Sequence, residues 1–153
     1  MEHQSRYYQG HGDLNRDFPT SKYGSADGIL ARAIWSAVKK YDVDYLMDMH
    51  EGYNYAKLQS SSSVGQSLIY YPTGYFRSTV SSIVYKLNSY ISTNYKEFSL
   101  LSYPTKGSLT RAAGQYLGVK SFIFETCSKQ TLSTRLNYQQ KAAQTLLSKL
   151  NML

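Results

Sequence analysis

Short apolar segments alternate with helix-periodic segments along this chain, and this alternation constrains the fold more than any other feature of the sequence. Apolar side chains recur every three to four residues in segments that predict helices at 26–41, 76–91, 109–117 and 132–150. The segments between them predict strands at 44–49, 67–71, 98–102 and 120–126. Because these strands lack polar alternation, we predict an α/β fold with a mainly parallel or mixed sheet and helices on both faces.

Length and composition limit the class of protein. The chain has 153 residues, which is enough for one domain with a buried core. Its hydrophobic fraction of 42% and charged fraction of 18% exclude a disordered tail and a coiled coil. No run of about 18 apolar residues is present, so we expect no membrane-spanning helix and no membrane partner. The single cysteine, Cys127, excludes an intrachain disulfide and a Cys-rich zinc module.

Positive charge is concentrated in the last third of the chain. The formal net charge is +7, and residues 99–153 hold seven Lys or Arg but one acid, Glu125. Such a balance favours an anionic partner, either a small substrate, a membrane surface or a nucleic acid. The seven cations are scattered singly, and no zinc finger, KH loop or RNP-like string is present, so no nucleic-acid partner is expected. A merely solvated basic face remains the alternative.

Two strings contain side chains suited to binding a carboxylate and a metal. In the string from Asp13 to Pro19, Arg16 offers a planar fork that grips a carboxylate with two hydrogen bonds, and Asn15 can add a third. In Asp48-Met49-His50-Glu51, a histidine follows a predicted strand, and imidazole is the commonest protein ligand for zinc. Each string taken alone is also compatible with a purely structural role.

Two further residues are candidates for chemistry. Glu125 follows the apolar run Ser121-Phe122-Ile123-Phe124, where a buried carboxylate is costly without a partner cation or metal. A general base has such a position, and a structural ion pair is the alternative. Tyr103 lies in a Gly-containing segment that ends at Ser108, where a phenol can swing toward a substrate, although most such tyrosines only pack.

Taken together and in this order, these strings resemble the zinc carboxypeptidase superfamily. The similar segments are DLNRDFP, then a helix, then DMHEG, then GSLTRAAGQYLGVKSFIFET, and they cover nearly the whole chain. Within the superfamily, the chain is most similar to the succinylglutamate desuccinylase/aspartoacylase group of deacylases. The resemblance implies a zinc-dependent hydrolase that cleaves an amide bond of a small anionic substrate, such as an N-acyl amino acid or a peptide C-terminus.

The resemblance also implies roles for individual residues. Asn15 and Arg16 would hold the substrate carboxylate, and Arg6 would polarise the scissile carbonyl. His50 matches a zinc ligand, and Glu125 matches the general base and acid. A zinc-bound water has its pKa lowered toward neutrality, and Glu125 would take its proton and pass it to the leaving amine.

Two more residues match the substrate side of the family's site. Tyr103 matches the mobile tyrosine that caps the substrate in the carboxypeptidase branch. Arg111 lies in the stretch that lines the specificity pocket there, and we expect it to favour an acidic side chain. The alternative activity is that of a zinc carboxypeptidase acting on peptide C-termini.

The sequence departs from the family pattern in one respect. The family's first two zinc ligands form an H-x-x-E motif upstream of DLNR, and the 12 residues before Asp13 contain none. We therefore expect residues 1–153 to be the C-terminal part of a single metallohydrolase catalytic domain, with the other Zn²⁺ ligands upstream of Met1. An inactive, truncated remnant without metal is the competing interpretation. The cytoplasm is the default location because no signal peptide is visible, and the oligomeric state is not indicated.

Overall fold

Four strands form one open, mixed sheet. The computed structural model describes residues 12–58, 60 and 62–153. The strands, in chain order, are β1 (Tyr45–Gly52), β2 (Ser67–Tyr70), β3 (Ser99–Ser102) and β4 (Lys120–Cys127). Their order across the sheet is β1-β4-β2-β3, with β1 parallel to β4, β2 parallel to β3, and β2 antiparallel to β4. The predicted α/β fold with a mixed sheet is confirmed.

Four helices connect and cover these strands. They are α1 (Ile29–Lys40), α2 (Phe76–Asn88), α3 (Leu109–Ala112) and α4 (Leu132–Lys149). A π-helical segment, Ala113–Leu117, continues α3 and ends at Gly118 in the left-handed conformation. None of the helices in the described part of the chain is both long and apolar enough to cross a membrane.

Two helix boundaries differ from the sequence prediction. Helix α1 begins at Ile29 instead of residue 26, because Gly28 with a φ of 67° precedes it and supplies no side-chain cap. The backbone N–H of Asp27 donates to the carbonyl of Asp17 over 2.7 Å, which holds the segment before the helix in an irregular conformation. Helix α2 ends at Asn88 instead of residue 91, and there the side chain of Asn88 exchanges two hydrogen bonds with the backbone of Phe98.

The strand β4 divides its side chains between two cores. Phe122 and Phe124 are fully buried on the side covered by α2 and α4. The ring of Phe124 stacks on that of Phe98, with centroids 5.1 Å apart. Burying side chains of this size contributes about 1.5–3 kcal/mol each, so this core supplies much of the stability of the fold.

The opposite side of the sheet packs against α1 and α3. Its core consists of small and aromatic side chains, namely Phe18, Ala26, Ala31, Trp35, Val38, Ala112, Ala113 and Val119. The hydroxyl of Ser121 in β4 donates to the carbonyl of Thr110 over 2.8 Å and so ties the sheet to α3. A Cβ atom at Gly114 would lie 2.5 Å from the Cβ of Tyr71, so only glycine allows this close approach. Helices therefore cover both faces, as predicted.

Candidate active site

The strand register brings His50 and Glu125 side by side. In the parallel pair, His50 of β1 lies opposite Glu125 of β4, and on the other side of β4 Ser67 at the start of β2 lies opposite Glu125. Both His50 and Glu125 are near the carboxyl ends of their strands. Residues that pair across a sheet point to the same face. The imidazole and the carboxylate therefore share the face that carries α1 and α3.

A single cavity of about 740 Å³ collects most of the predicted site residues. Asn15, Arg16, His50 and Glu125 all line it. Further lining comes from the polar loop between β1 and β2, namely Tyr53, Ser62, Ser63 and Val64, and from apolar side chains, among them Ile34, Ile69, Leu109 and Ile123. The carboxylate of Glu125 lies at the edge of this cavity in a residue that is only 8% exposed.

The segment Asp13–Arg16 is held in place by its own backbone and by α3. Asp13 precedes a short 3-10 turn, and its carboxylate accepts a hydrogen bond of 3.1 Å from the N–H of Asn15. The side-chain oxygen of Asn15 accepts from the N–H of Leu109 over 3.2 Å. Asn15 therefore uses its oxygen to hold the turn against α3, and its amide nitrogen is the group able to donate to a ligand.

A glycine allows a second contact between these segments. The N–H of Phe18 donates to the carbonyl of Gly107 over 3.0 Å. Gly107 has a φ of 85°, and a Cβ atom there would lie 2.7 Å from the carbonyl oxygen of Arg16. The loop before α3 can therefore pack against the Asp13–Arg16 turn because residue 107 has no side chain.

Arg16 presents a partly exposed guanidinium at the cavity. Its Nη1 donates to the carbonyl of Asn15 over 2.6 Å and lies 3.8 Å from the carboxylate of Asp13. The side chain is 43% exposed, so the pairing with Asp13 contributes little to stability. Both contacts use one side of the planar fork and orient the group for binding an anion.

The ring of His50 is oriented by a neighbouring carboxylate. Its Nε2 lies 3.0 Å from Oδ1 of Asp48, which lies two residues earlier on β1 and lines the same cavity. A carboxylate on one ring nitrogen fixes the orientation of the imidazole, as is common among metal-ligating histidines.

Carboxylates outnumber cations at this cavity. Asp13, Asp48, Glu51 and Glu125 line it, whereas Arg16 is the lining cation. Glu51 forms a salt bridge with Arg135 of α4. From the sequence, no role is expected for Asp13, whereas the carboxylates of Asp48 and Glu51 beside His50 are expected to orient its ring. Asp48 does contact the ring, and Glu51 instead pairs with Arg135. The excess negative charge favours a bound cation or a substrate that carries an amino group as well as a carboxylate.

The donor chemistry suits zinc, but the described residues supply too few ligands. Imidazole and carboxylate groups are typical zinc ligands, and a catalytic zinc needs three of them. Residues 12–58, 60 and 62–153 contain no group of three or more His, Cys, Asp or Glu side chains that could hold a metal ion. These residues alone therefore do not form a zinc site.

Tyr103 and Arg111 lie beside this cavity, in a cluster with Tyr71. The guanidinium carbon of Arg111 is 5.4 Å from the ring centroid of Tyr71 and 5.5 Å from that of Tyr103. Arg111 also donates to Gln115 over 2.7 Å and to the carbonyl of Pro104 over 3.2 Å. A shallow depression next to Tyr103 shares the lining residues Val64, Ile69 and Thr105 with the main cavity.

The remaining site prediction, Arg6, lies outside the described residues. The Ser-rich segment that contains Ser62 and Ser63 was predicted only as a loop, and the structure shows that it forms one wall of the cavity. Its position between the end of β1 and the start of β2 is the sequence signal that could have identified it, because both of those strand ends border the site.

Comparison with known proteins identifies the fold class. No family model matches the chain, and no curated protein matches it. Solved structures of Csd4, a cell shape determinant protein from Helicobacter pylori, do match. The apo form has a TM-score of 0.73 and 19% identity over 93% of this chain and 38% of Csd4. The mDAP-bound form, described as a D,L-carboxypeptidase, has the same TM-score and identity over 93% of this chain and 39% of Csd4.

The tripeptide-bound form of Csd4 gives a TM-score of 0.69 and 16% identity over 94% of this chain and 40% of Csd4. The chain therefore has a carboxypeptidase-like α/β fold and spans about two fifths of the length of the structures it matches. At this level of identity, the comparison establishes the fold alone.

Proposed function

We propose that this chain carries the substrate-binding and general-base residues of a metal-dependent hydrolase of carboxypeptidase type. The observation that supports this most directly is the register pair of His50 and Glu125 in one cavity with Arg16. Because Csd4 is described as a D,L-carboxypeptidase, we propose a peptidase in place of the N-acyl amino acid deacylase to which the sequence is most similar.

In this proposal each residue acts at a stated group. The guanidinium of Arg16 binds the terminal carboxylate of the substrate, with the side-chain amide of Asn15 as a further donor. Glu125 takes a proton from the attacking water and passes it to the departing amine. His50 is one ligand of a Zn²⁺ ion whose other ligands come from outside the described residues. When bound, the metal supplies Lewis-acid polarisation of the amide carbonyl.

The substrate class follows from the charges at the cavity. Csd4 is known in mDAP-bound and tripeptide-bound forms. We infer a short peptide with a free carboxylate that meets Arg16 and an amino group that meets the excess carboxylates. Tyr103 caps this substrate, Arg111 selects for an acidic side chain, and Arg6 polarises the scissile carbonyl.

Peptide binding tests the carboxylate site without depending on turnover. A tripeptide with a free C-terminal carboxylate should bind more tightly than its C-terminal amide, by calorimetry. Replacing Arg16 with Ala should weaken binding of the free acid by about 10- to 100-fold, the effect of losing a charge-assisted hydrogen bond of about 1.5–3 kcal/mol. The matched control is Arg32→Ala, which removes an exposed arginine from α1. Equal binding of acid and amide would contradict the proposal, and tighter binding of an N-acyl amino acid would favour the deacylase.

The rate of hydrolysis with added zinc tests whether Glu125 is the general base. Glu125→Gln should lower the hydrolysis rate by about 10²- to 10⁴-fold without unfolding the protein. Glu97→Gln is the control, because it removes a carboxylate that pairs with Lys57. His50→Ala should weaken zinc binding. Zinc-supplemented protein that shows no hydrolysis would favour the inactive remnant.

A further inference from the structure

The two helices on the apolar face of the sheet leave a basic groove between them on the outer surface. The groove has a volume of about 740 Å³. Its lining residues are Ser81, Ser82, Tyr85, Lys86, Tyr90, Lys141, Gln144, Thr145, Ser148 and Lys149. Three of these are lysines, none is acidic, and the others carry hydroxyl or amide groups. The groove lies on the side of the sheet opposite to the candidate active site, so it is independent of the proposed function.

Two of the lysines converge on one tyrosine. The Nζ of Lys141 lies 3.9 Å from the ring centroid of Tyr90, and the Nζ of Lys86 lies 5.3 Å from it. Lys86 also forms a hydrogen bond with Tyr90, which raises the pKa of Lys86 and lowers that of Tyr90. Two ammonium groups near one ring repel each other, and a bound anion would relieve that repulsion.

The geometry of the cations requires a ligand with more than one charge. Lys141 and Lys149 lie eight positions apart on α4, which corresponds to about 12 Å along a helix. A single small anion cannot contact both ends of this row. A linear chain with repeated anionic groups can contact Lys86 and Lys141 at one end and Lys149 at the other.

The neutral lining residues favour a ligand rich in hydroxyl groups. The hydroxyls of Ser82 and Thr145 donate to carbonyls one helical turn earlier, over 3.0 and 2.7 Å. Their oxygen atoms therefore face a ligand as acceptors. Sugar hydroxyls are donors that suit such acceptors, and the amide of Gln144 can both donate and accept.

The same lining disfavours two other polyanions. Binding of single-stranded nucleic acid relies on several aromatic rings on which successive bases stack. Lys141 already lies over the ring of Tyr90, so Tyr85 is the one other ring among the lining residues. A membrane surface favours a helix face with apolar side chains to insert, and no aliphatic side chain lines the groove. We propose that the α2–α4 groove binds an acidic polysaccharide, with its anionic groups on Lys86, Lys141 and Lys149 and its hydroxyls on the neutral side chains between them.

Binding of an oligogalacturonate, measured by calorimetry, tests this proposal. The triple variant Lys86→Ala, Lys141→Ala, Lys149→Ala should lose at least about tenfold in affinity, and raising salt from about 50 to about 200 mM should weaken wild-type binding by up to roughly 20-fold. The control variant Lys22→Ala, Lys39→Ala, Lys40→Ala removes the same charge from elsewhere and should bind within about threefold of wild type. A neutral maltooligosaccharide of equal length should not bind.

A conservative single substitution distinguishes a loss of binding from a loss of folding. Tyr90→Phe keeps the ring but removes the hydrogen bond to Lys86, and it should lower affinity about two- to fivefold at unchanged thermal stability. Equal losses in the two triple variants would overturn the proposal, because they would show general charge attraction. Tighter binding of a single-stranded DNA oligonucleotide or of anionic phospholipid vesicles would overturn it in favour of those ligands, and absence of binding would refute it outright.

Discussion

The two faces of the sheet differ in how far their helices extend over the strands. On the α2–α4 side, Phe122 and Phe124 of β4 are completely shielded from solvent. On the α1–α3 side, helices cover the start of β4, where Ser121 contacts Thr110, but a cavity lies over Ile123 and Glu125. Adjacent residues of β4 therefore lie in different environments, because Phe124 is in a closed apolar core and Glu125 lines a cavity. The comparison indicates that one face is covered along the whole of β4, whereas the other has a core beside α1 and α3 but leaves the carboxyl end of β4 available for polar groups.

The largest expected loss of stability comes from a substitution on the α2–α4 side of the sheet. Phe124→Ala removes a fully buried ring that stacks on Phe98, and it should lower the free energy of unfolding by about 3–5 kcal/mol. Glu125→Gln, at the next position of β4, should change the free energy of unfolding by less than about 1 kcal/mol because glutamine has nearly the same volume and shape as glutamate. Chemical denaturation of both variants measures the difference. Equal destabilisation would show that the two faces share the same structural role.

A smaller loss of stability is expected at Gly107, where the loop before α3 packs against the backbone of Arg16. Gly107→Ala places a methyl group 2.7 Å from the carbonyl of Arg16 at a φ of 85°. It should cost about 1–3 kcal/mol of stability and weaken peptide binding by displacing Arg16. Gly12→Ala is the control, because no atom lies within 4 Å of the added methyl group. Unchanged peptide binding in Gly107→Ala would mean that Arg16 does not need this packing.

The smallest expected effect is a pH dependence of protein stability that comes from partly buried tyrosines. Burial raises the pKa of Tyr138 above 10.0, partly opposed by a hydrogen bond with Gln130, and burial also raises the pKa of Tyr55. The folded state favours the neutral form of these phenols. Their contribution to the free energy of unfolding is therefore complete below pH 10 and is lost as the pH rises through the raised pKa values. Tyr138→Phe should flatten the fall in stability above about pH 10. Tyr75→Phe, at an exposed position, controls for the loss of one phenol.

Sequence periodicity predicted all four helices and all four strands, because burial on one or both faces leaves a repeat that can be read directly. Periodicity does not encode strand direction, so the reversal of β2 against β4 could be seen only in the structure. The same reversal places the start of β2, and with it Ser63, at the cavity. The start of α1 was predicted too early, at residue 26, because periodicity does not show that Gly28 turns the backbone before the helix.

The candidate site was predictable in part. Motif order pointed to Asn15, Arg16, His50 and Glu125, and all four line one cavity. The cluster of Arg111 with Tyr71 and Tyr103 could not be predicted, because it depends on the close approach of Gly114 to Tyr71. The excess of carboxylates at the cavity was also missed, since Asp13 and Glu51 are far apart in sequence and line the same cavity only in the folded chain.

The position of β4 in the sheet determines when, during folding, the candidate site can form. This strand comes last in the chain but lies between β1 and β2, and Thr126 donates to the carbonyl of His50 across 76 residues of sequence. Contacts this distant form late, after the cost of closing a long loop has been met. While the ribosome is still making the final third, β1 and β2 have no shared neighbour and the imidazole has no carboxylate opposite it. The candidate site and the completed sheet would therefore arise in the same folding event.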